Sequence, residues 1–394
     1  MYQPSLRDKP VAVSGDAERR HGIVLAKNEL AKKYGVQTGE TLWQARQKCP
    51  GLVFVPPHYE RYLRYSKLAK EIYAAFTDQV EPFGLDECWL DVSGSTRLFG
   101  DGRTIADRIR QEIRKQLGVS VSVGVSFNKI FAKLGSDMKK PDATTVISQE
   151  NFKETVWPLP VEALLYVGRA TQRKLAVYGI KTIGQLAGME VQTLQYLLGK
   201  NGRMLWEFAN GMDTSPVRNV AVTPLVKSVG NSTTAPRDLT DEQDIKITLY
   251  VLCESVAARL RECGMECSVV QISLRDTALD TFERQGRLGA PTNLAGQLFE
   301  LAYALVRQNM PKTPIRSIGV RGCKLSPAGE VQLSLLPEEQ RAQKCGAIER
   351  AVDDLRARFG HGCVQRGILL ADPFLAGVNP KDDHVIHPVG FARG

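Results

Sequence analysis

The residues best suited to chemistry are a short acidic pair, Asp86-Glu87, inside the run Val80-Glu81-Pro82-Phe83-Gly84-Leu85-Asp86-Glu87-Cys88-Trp89-Leu90. Neighbouring side chains on a regular strand point to opposite faces, so adjacent carboxylates reach one ion only where the backbone bends. Pro82 and Gly84, just upstream, permit such a bend. Carboxylate oxygens with space left for water and phosphate suit Mg²⁺, which keeps several waters and is shared with substrate phosphates. A second run, Asn128-Lys129-Ile130-Phe131-Ala132-Lys133-Leu134-Gly135-Ser136-Asp137-Met138-Lys139-Lys140-Pro141, puts Lys129 and Lys133 one helical turn apart and ends on two more lysines. Lysine binds phosphate as a point charge, and lysines near a helix C-terminus also complement its dipole. Both readings stand for this run.

A third run, from Val167 through Gly168, Arg173, Lys174 and Gly179 to Leu186, reads as two short helices joined at glycines. Such a pair can offer backbone N–H groups to a DNA phosphate, with Arg173 and Lys174 alongside; a plain packing pair is the other reading. The fourth is Gln332-Leu333-Ser334-Leu335-Leu336, leucines in a polar tail, which suits a peptide docking into a partner's apolar groove. The eight cysteines form no CxxC pair, so they read as reduced and structural. His384 and His387, the one close histidine pair, lack a cysteine partner, which argues against zinc.

The elements that position these groups follow from periodicity. Short apolar pieces at Pro10–Val13 and Gly22–Ala26 are strand-like, and polar helices are expected over Asn28–Tyr34 and Leu42–Lys48. Tyr59–Phe76 has helical spacing, and Ile105, Ile109, Ile113 and Leu117 give the helix from Arg103 to Leu117 one buried face. The acidic pair falls in the second of two strands broken near Pro82–Gly84. Val119–Ser126 alternates and predicts a strand, Asn128 caps a helix to Met138, and Thr144–Ile147 is a further strand. Residues 157–216 read as all-helical with Gly168, Gly179, Gly199 and Gly211 as punctuation, and residues 217–228 as a linker. Residues 229–324 mix strand-like pieces (269–275, 316–323) with amphipathic helices (245–263, 294–308). Beyond residue 325 a helix is expected at 347–358, and nothing there is needed for either core.

The 394 residues carry 52 Lys+Arg against 43 Asp+Glu, a net charge of +9, with 43% hydrophobic and 24% charged residues. That composition excludes a wholly disordered or collagen-like chain. No stretch of about 18 apolar residues occurs and residues 1–10 lack a signal-peptide core, so the expectation is a soluble, cytoplasmic protein without a membrane partner. Residues 1–228 hold the whole charge excess, with 24 basic and 19 acidic residues in 1–156 and 8 and 4 in 157–228. This suits a polyanionic partner such as DNA.

In this order the runs resemble the Y-family translesion DNA polymerases of the UmuC/DinB type. The likeness begins at Leu6–Val13, passes through Tyr34-Gly35-Val36, Val80–Glu87, Ser122–Lys129 and Ser136–Pro141, and continues across the hairpin to the second α/β domain. The resemblance implies a multidomain α/β and α fold: a right-hand polymerase with an α+β little finger. Palm and small fingers would occupy 1–156 (fingers about 14–58), a helix-hairpin-helix thumb 157–216, the linker 217–228, the little finger 229–324, and a tail with a clamp-binding peptide 325–394. It further implies that Asp86 and Glu87 are catalytic and hold Mg²⁺ (two ions), that Lys140 and Lys32 contact the dNTP, and that Gly168, Arg173, Lys174 and Gly179 contact primer-template DNA. Gln332, Leu333, Leu335 and Leu336 would bind the sliding (beta) clamp.

Several positions depart from the family pattern. Glu29 stands where a phosphate-contacting tyrosine is usual, Lys32 replaces an arginine fork, and Tyr166 replaces the first hairpin glycine. The family's first palm strand, which carries a further metal-binding aspartate and an aromatic gate against ribonucleotides, would lie just before residue 1. Two expectations follow. One is a template-directed polymerase for translesion synthesis; the other is a catalytically impaired remnant that binds DNA and the clamp. A helix-hairpin-helix nuclease would need a second acidic cluster in residues 1–156, and none is found.

Overall fold

A computed structural model describes residues 3–15, 20, 22–222, 225–329 and 337–379. They form two compact units, one of residues 1–59 with 225–394 and one of residues 60–224. In the first, β1 (Val11–Ser14) is the centre of a three-stranded sheet, antiparallel to β2 (Val24–Lys27) and parallel to β3 (Val53–Val55). Helices α1 (Glu29–Lys33) and α2 (Leu42–Lys48) start where expected. The Asn28 side chain accepts from the Ala31 N–H, and Thr41 and Gln44 form a reciprocal capping box. Ala12, Val24, Ala31 and Ala45 are fully buried between sheet and helices.

The second unit opens with α3 (Tyr59–Ala74) and an antiparallel hairpin of β4 (Val80–Phe83) and β5 (Glu87–Leu90). After α4 (Thr96–Phe99), α5 (Gly102–Leu117) buries Ile105, Ile109 and Ile113, the face its spacing predicts. Then β6 (Val123–Ser126), α6 (Lys129–Met138) and β7 (Thr144–Ile147) form a parallel β-α-β unit. The strand expected over Val119–Ser126 is shorter. Its partner β7 begins only at Thr144, opposite Val123, because the chain before it turns at Asp142, where Arg110 holds it at 3.0 Å. Residues 119–122 therefore have no ladder to join.

After the short α7 (Phe152–Val156), helices α8 (Arg169–Val177), α9 (Ile183–Ala187), α10 (Val191–Leu198) and α11 (Lys200–Ala209) bear out the helical reading of residues 157–216. Leu175, Ile183, Leu194 and Leu205 are fully buried in one core with Phe131 and Ile147. The segment after α11 is tied back to the hairpin. The Arg218 N–H donates to Glu81 Oε2 at 3.0 Å, and the Val220 N–H to the Asp78 carbonyl at 3.0 Å.

In the remainder of the first unit, β8 (Ser228–Leu239), β9 (Met265–Asp276), β10 (Thr281–Thr292) and β11 (Ile315–Pro327) form an antiparallel sheet in the order β10-β9-β11-β8. Helices α12 (Glu242–Glu262) and α13 (Ala295–Gln308) pack against it through Leu249, Leu252, Val256, Leu298 and Ala302. Strands β8 and β10 are not visible in the pattern. Their sequences are rich in Ser, Thr, Gly, Arg and Pro, and β10 buries only Thr292.

The expectation that nothing beyond residue 325 serves a core is corrected. After α14 (Pro337–Phe359), 3-10 turns at His361–Cys363 and Gly367–Ala371 and α15 (Pro373–Ala376) bring Leu369 and Leu375 into the core under β8 and α12. The charges match as well. Glu254, buried on α12, accepts from Arg356 at 2.9 Å and Arg366 at 2.6 Å, while Arg261 reaches Glu349 at 2.6 Å and Asp353 at 2.7 Å. The peptide Gln332–Leu336 and the pair His384 and His387 lie outside the described residues. No helix among the described residues is long and apolar enough to cross a membrane.

Candidate active site

The hairpin of β4 and β5 closes through Gly84, Leu85 and Asp86, with Gly84 at φ 84°, a left-handed value that favours glycine. Asp86 thus sits in the turn rather than in the strand, and Glu87 begins β5. This is the bend that two adjacent carboxylates need to serve one ion. The Ser66 hydroxyl on α3 donates to the Leu85 carbonyl, and Lys70 Nζ donates to Ser66 Oγ at 2.9 Å, which holds the turn from one side. Asp86 is exposed and makes no hydrogen bond or ion pair among the described residues.

Helix α6 covers the other side. Gly124 on β6 makes that approach possible, since a Cβ there would lie 1.9 Å from the Ala132 carbonyl oxygen. Lys129 Nζ pairs with Glu81 Oε2 at 2.8 Å and Lys133 Nζ with Glu87 Oε1 at 3.1 Å. Two lysines one turn apart thus meet two acids from opposite strands of the hairpin. The Trp89 indole N–H donates to the Lys129 carbonyl at 2.9 Å, and the Phe83 and Trp89 rings pack with centroids 4.6 Å apart. Neither lysine is left free for phosphate, a distinction the sequence left open.

Further along α6, Asp137 gives one carboxylate oxygen to Lys133 and the other to Lys140, whose Nζ lies 2.7 Å from Oδ1. Burial disfavours the Lys133 ammonium, but hydrogen bonds to Asp137 and Glu87 outweigh it and hold its pKa up. Burial likewise works against the Asp137 carboxylate, and Lys133 and Lys140 overcome it and hold its pKa down. Glu81 follows the same pattern, with burial opposed by Lys129 and the Arg218 N–H and the net shift downward. The loop after Lys140 is fixed by Arg110, which reaches Asp142 Oδ1 at 3.0 Å and Thr144 Oγ1 at 3.2 Å. Sequence reasoning passed over Glu81, Asp137 and Arg110; a local signal existed only for Asp137, one helical turn beyond Lys133, whereas Glu81 meets Lys129 across 48 positions.

The donor set suits a hard divalent cation: two carboxylates from one bend, Asp86 unpaired and Glu87 held only by an ammonium. Among the described residues no group of three or more His, Cys, Asp or Glu gathers to hold a metal.

Lys32 lies in the other unit, on the exposed face of α1, 3.6 Å from Glu29. In the helical hairpin, Gly168 is the N-cap of α8 and Gly179, at φ 74°, follows its end; both face open space. Tyr166, where a glycine is usual, adopts φ 70°, the conformation a glycine would supply. Arg173 and Lys174 are exposed on α8.

Comparison with known proteins supplies the family of a chain with this acidic turn, β-α-β unit and run of short helices. Residues 1–137 match the impB/mucB/samB family, residues 226–335 the C-terminal domain of that family, and residues 164–213 the thumb domain of DNA polymerase-iota. A DNA polymerase IV of Acetivibrio thermocellus is 53% identical over 375 residues, covering 94% of both chains. DNA polymerase IV 2 of Bacillus subtilis is 36% identical over 93% of this chain and 90% of its own. A Y-family DNA polymerase chimera of known structure superposes with a TM-score of 0.71 at 24% identity, over 82% of this chain and 94% of its own. DinB from Sulfolobus solfataricus superposes at 0.53 and 24% identity, over 82% and 93%. At that identity the two structures speak to the fold alone. The chain belongs to the Y family of DNA-directed DNA polymerases, of the DinB type.

Proposed function

We propose that the protein performs translesion synthesis in DNA damage tolerance, adding deoxynucleotides from dNTPs to a primer 3′-hydroxyl opposite damaged template bases in the cytoplasm. The observation that carries this reading is the Asp86-Glu87 turn faced by the Lys133, Asp137 and Lys140 side of α6. Asp86 and Glu87 would hold two Mg²⁺ ions, which when bound neutralise charge on the attacking and leaving oxygens. Glu87 is kept oriented by Lys133, and Asp86 presents its carboxylate from a turn pinned by Ser66. Lys140, exposed beyond the helix end, would take triphosphate oxygens as a point charge, and Lys32 would do so from the fingers. Phosphoryl transfer of this kind needs positioning and charge neutralisation rather than covalent chemistry. Gly168 and Gly179 would let duplex phosphates approach the hairpin backbone, with Arg173 and Lys174 alongside. Residues 332–336 would engage the sliding clamp.

Primer extension by the full chain should fall by about three orders of magnitude or more in D86A/E87A, the scale of losing principal catalytic groups. Unchanged extension would sink the assignment. For the clamp peptide, alanine at Gln332 and Leu336 should abolish clamp binding in a pull-down. A second reading is a remnant that binds DNA and the clamp without incorporating nucleotide. It requires primer-template binding with no incorporation by the unmodified chain.

A further inference from the structure

We propose that Lys133 is a positioning residue that takes the place of a divalent cation on Glu87, and that Asp137 sets how firmly it sits there. This rests on reading Asp86 and Glu87 as the metal ligands. Lys133 differs from Lys140, the cation at the other end of this cluster. Its side chain is only 16% exposed against 53% for Lys140, so its ammonium is committed to the two carboxylates it touches. Those two, Glu87 and Asp137, compete for one ammonium. Asp137 in turn divides itself between Lys133 and Lys140.

A chain of four alternating charges follows, Glu87, Lys133, Asp137 and Lys140, with the acidic end at the metal site and the basic end at the proposed triphosphate contact. If Lys140 moves onto a phosphate, Asp137 loses one of its two cations and draws harder on Lys133. The hold on Glu87 then weakens, and its carboxylate becomes available to an ion. Coupling of this sort is reciprocal, so an ion on Glu87 also favours release of Lys140 toward the nucleotide. When no ion is bound, Lys133 keeps Glu87 oriented instead of leaving it to rotate.

The test is Mn²⁺ binding to the full chain on primer-template DNA, read by electron paramagnetic resonance without nucleotide. Removing a competing ammonium from an ion pair of this exposure should tighten Mn²⁺ binding about two- to fivefold in K133M. D137N, which leaves Lys133 wholly to Glu87, should weaken it, and K133R should stay near the unsubstituted protein. Opposite signs in K133M and D137N are the signature, because local damage to α6 would weaken both. If E87Q weakens Mn²⁺ binding but K133M weakens it too or leaves it unchanged, the positioning role is overturned and the metal site stands. If E87Q leaves Mn²⁺ binding unchanged, the metal-site reading falls and this inference with it.

Discussion

Lys129 Nζ lies 2.8 Å from Glu81 Oε2, joining the first turn of α6 to the strand before the Asp86-Glu87 turn. Both side chains are nearly buried, at 12% and 9% exposure, and the Arg218 N–H and guanidinium complete the carboxylate's partners at 3.0 and 3.2 Å. Removing one member of a buried pair leaves an uncompensated charge, which costs about 3–5 kcal/mol. Glu81→Ala should therefore lower the denaturation midpoint of the palm more than Lys129→Met with its apolar stem retained. Limited proteolysis near residue 218 should also increase in the Glu81 variant, because its backbone anchor is gone.

The crossing of α6 over β6 depends on one missing Cβ. Gly124→Ala would put a carbon 1.9 Å from the Ala132 carbonyl oxygen, a backbone atom that cannot swing aside. The strand or helix must shift, at about 3 kcal/mol, and Lys133 moves with it. Thermal unfolding should show the loss. Gly94→Ala, which meets open space, should stay within about 0.5 kcal/mol of the parent.

Leu369, 3% exposed, anchors the tail in the sheet-and-helix core. Leu369→Ala should destabilise that domain by about 2–4 kcal/mol, read as an earlier denaturation transition. A tail that merely trails from the domain predicts no change.

Acid should loosen the same tail. The hydrogen bond from Arg237 holds the Asp372 carboxyl below the ordinary aspartate range. A depressed pKa gives stability that is present above the unfolded value, about 3.9, and lost as pH falls through the folded one. Hydrogen-exchange protection at residues 367–376 should accordingly fall below about pH 4, and Arg237→Met should weaken that pH dependence while the Phe374 and Leu375 N–H groups keep part of it.

Thiol labelling separates the cysteines. Cys263, Cys345 and Cys363 are exposed, whereas Cys49, Cys253 and Cys267 are buried. Burial pushes the Cys88 and Cys267 thiols up to about 11 and raises Cys253 further still. Mass spectrometry after brief alkylation at neutral pH should find the first three modified and the buried ones protected until the protein unfolds.

Much of this molecule is written locally. The isoleucines of α5 recur every four residues, so the buried face can be counted off, and the caps at Asn28, Thr41 and Asn128 start their helices where the sequence puts them. The acidic pair and the bend beside it are local too, because proline and glycine act on their own backbone. Strands β8 and β10 escape because a sheet can hold polar, glycine-bearing segments through ladder bonds to partners far along the chain.

By itself the sequence determined which groups could bind an ion, a phosphate or a DNA backbone, since those abilities belong to residue types and short spacings. Only the tertiary structure decided which lysines are already taken. Glu81 meets Lys129 across 48 positions and Arg218 across 137, and Glu254 meets Arg366 across 112. No period in the chain encodes such pairs. They exist because packing brings distant elements together, and a charge removed from water there must find its partner.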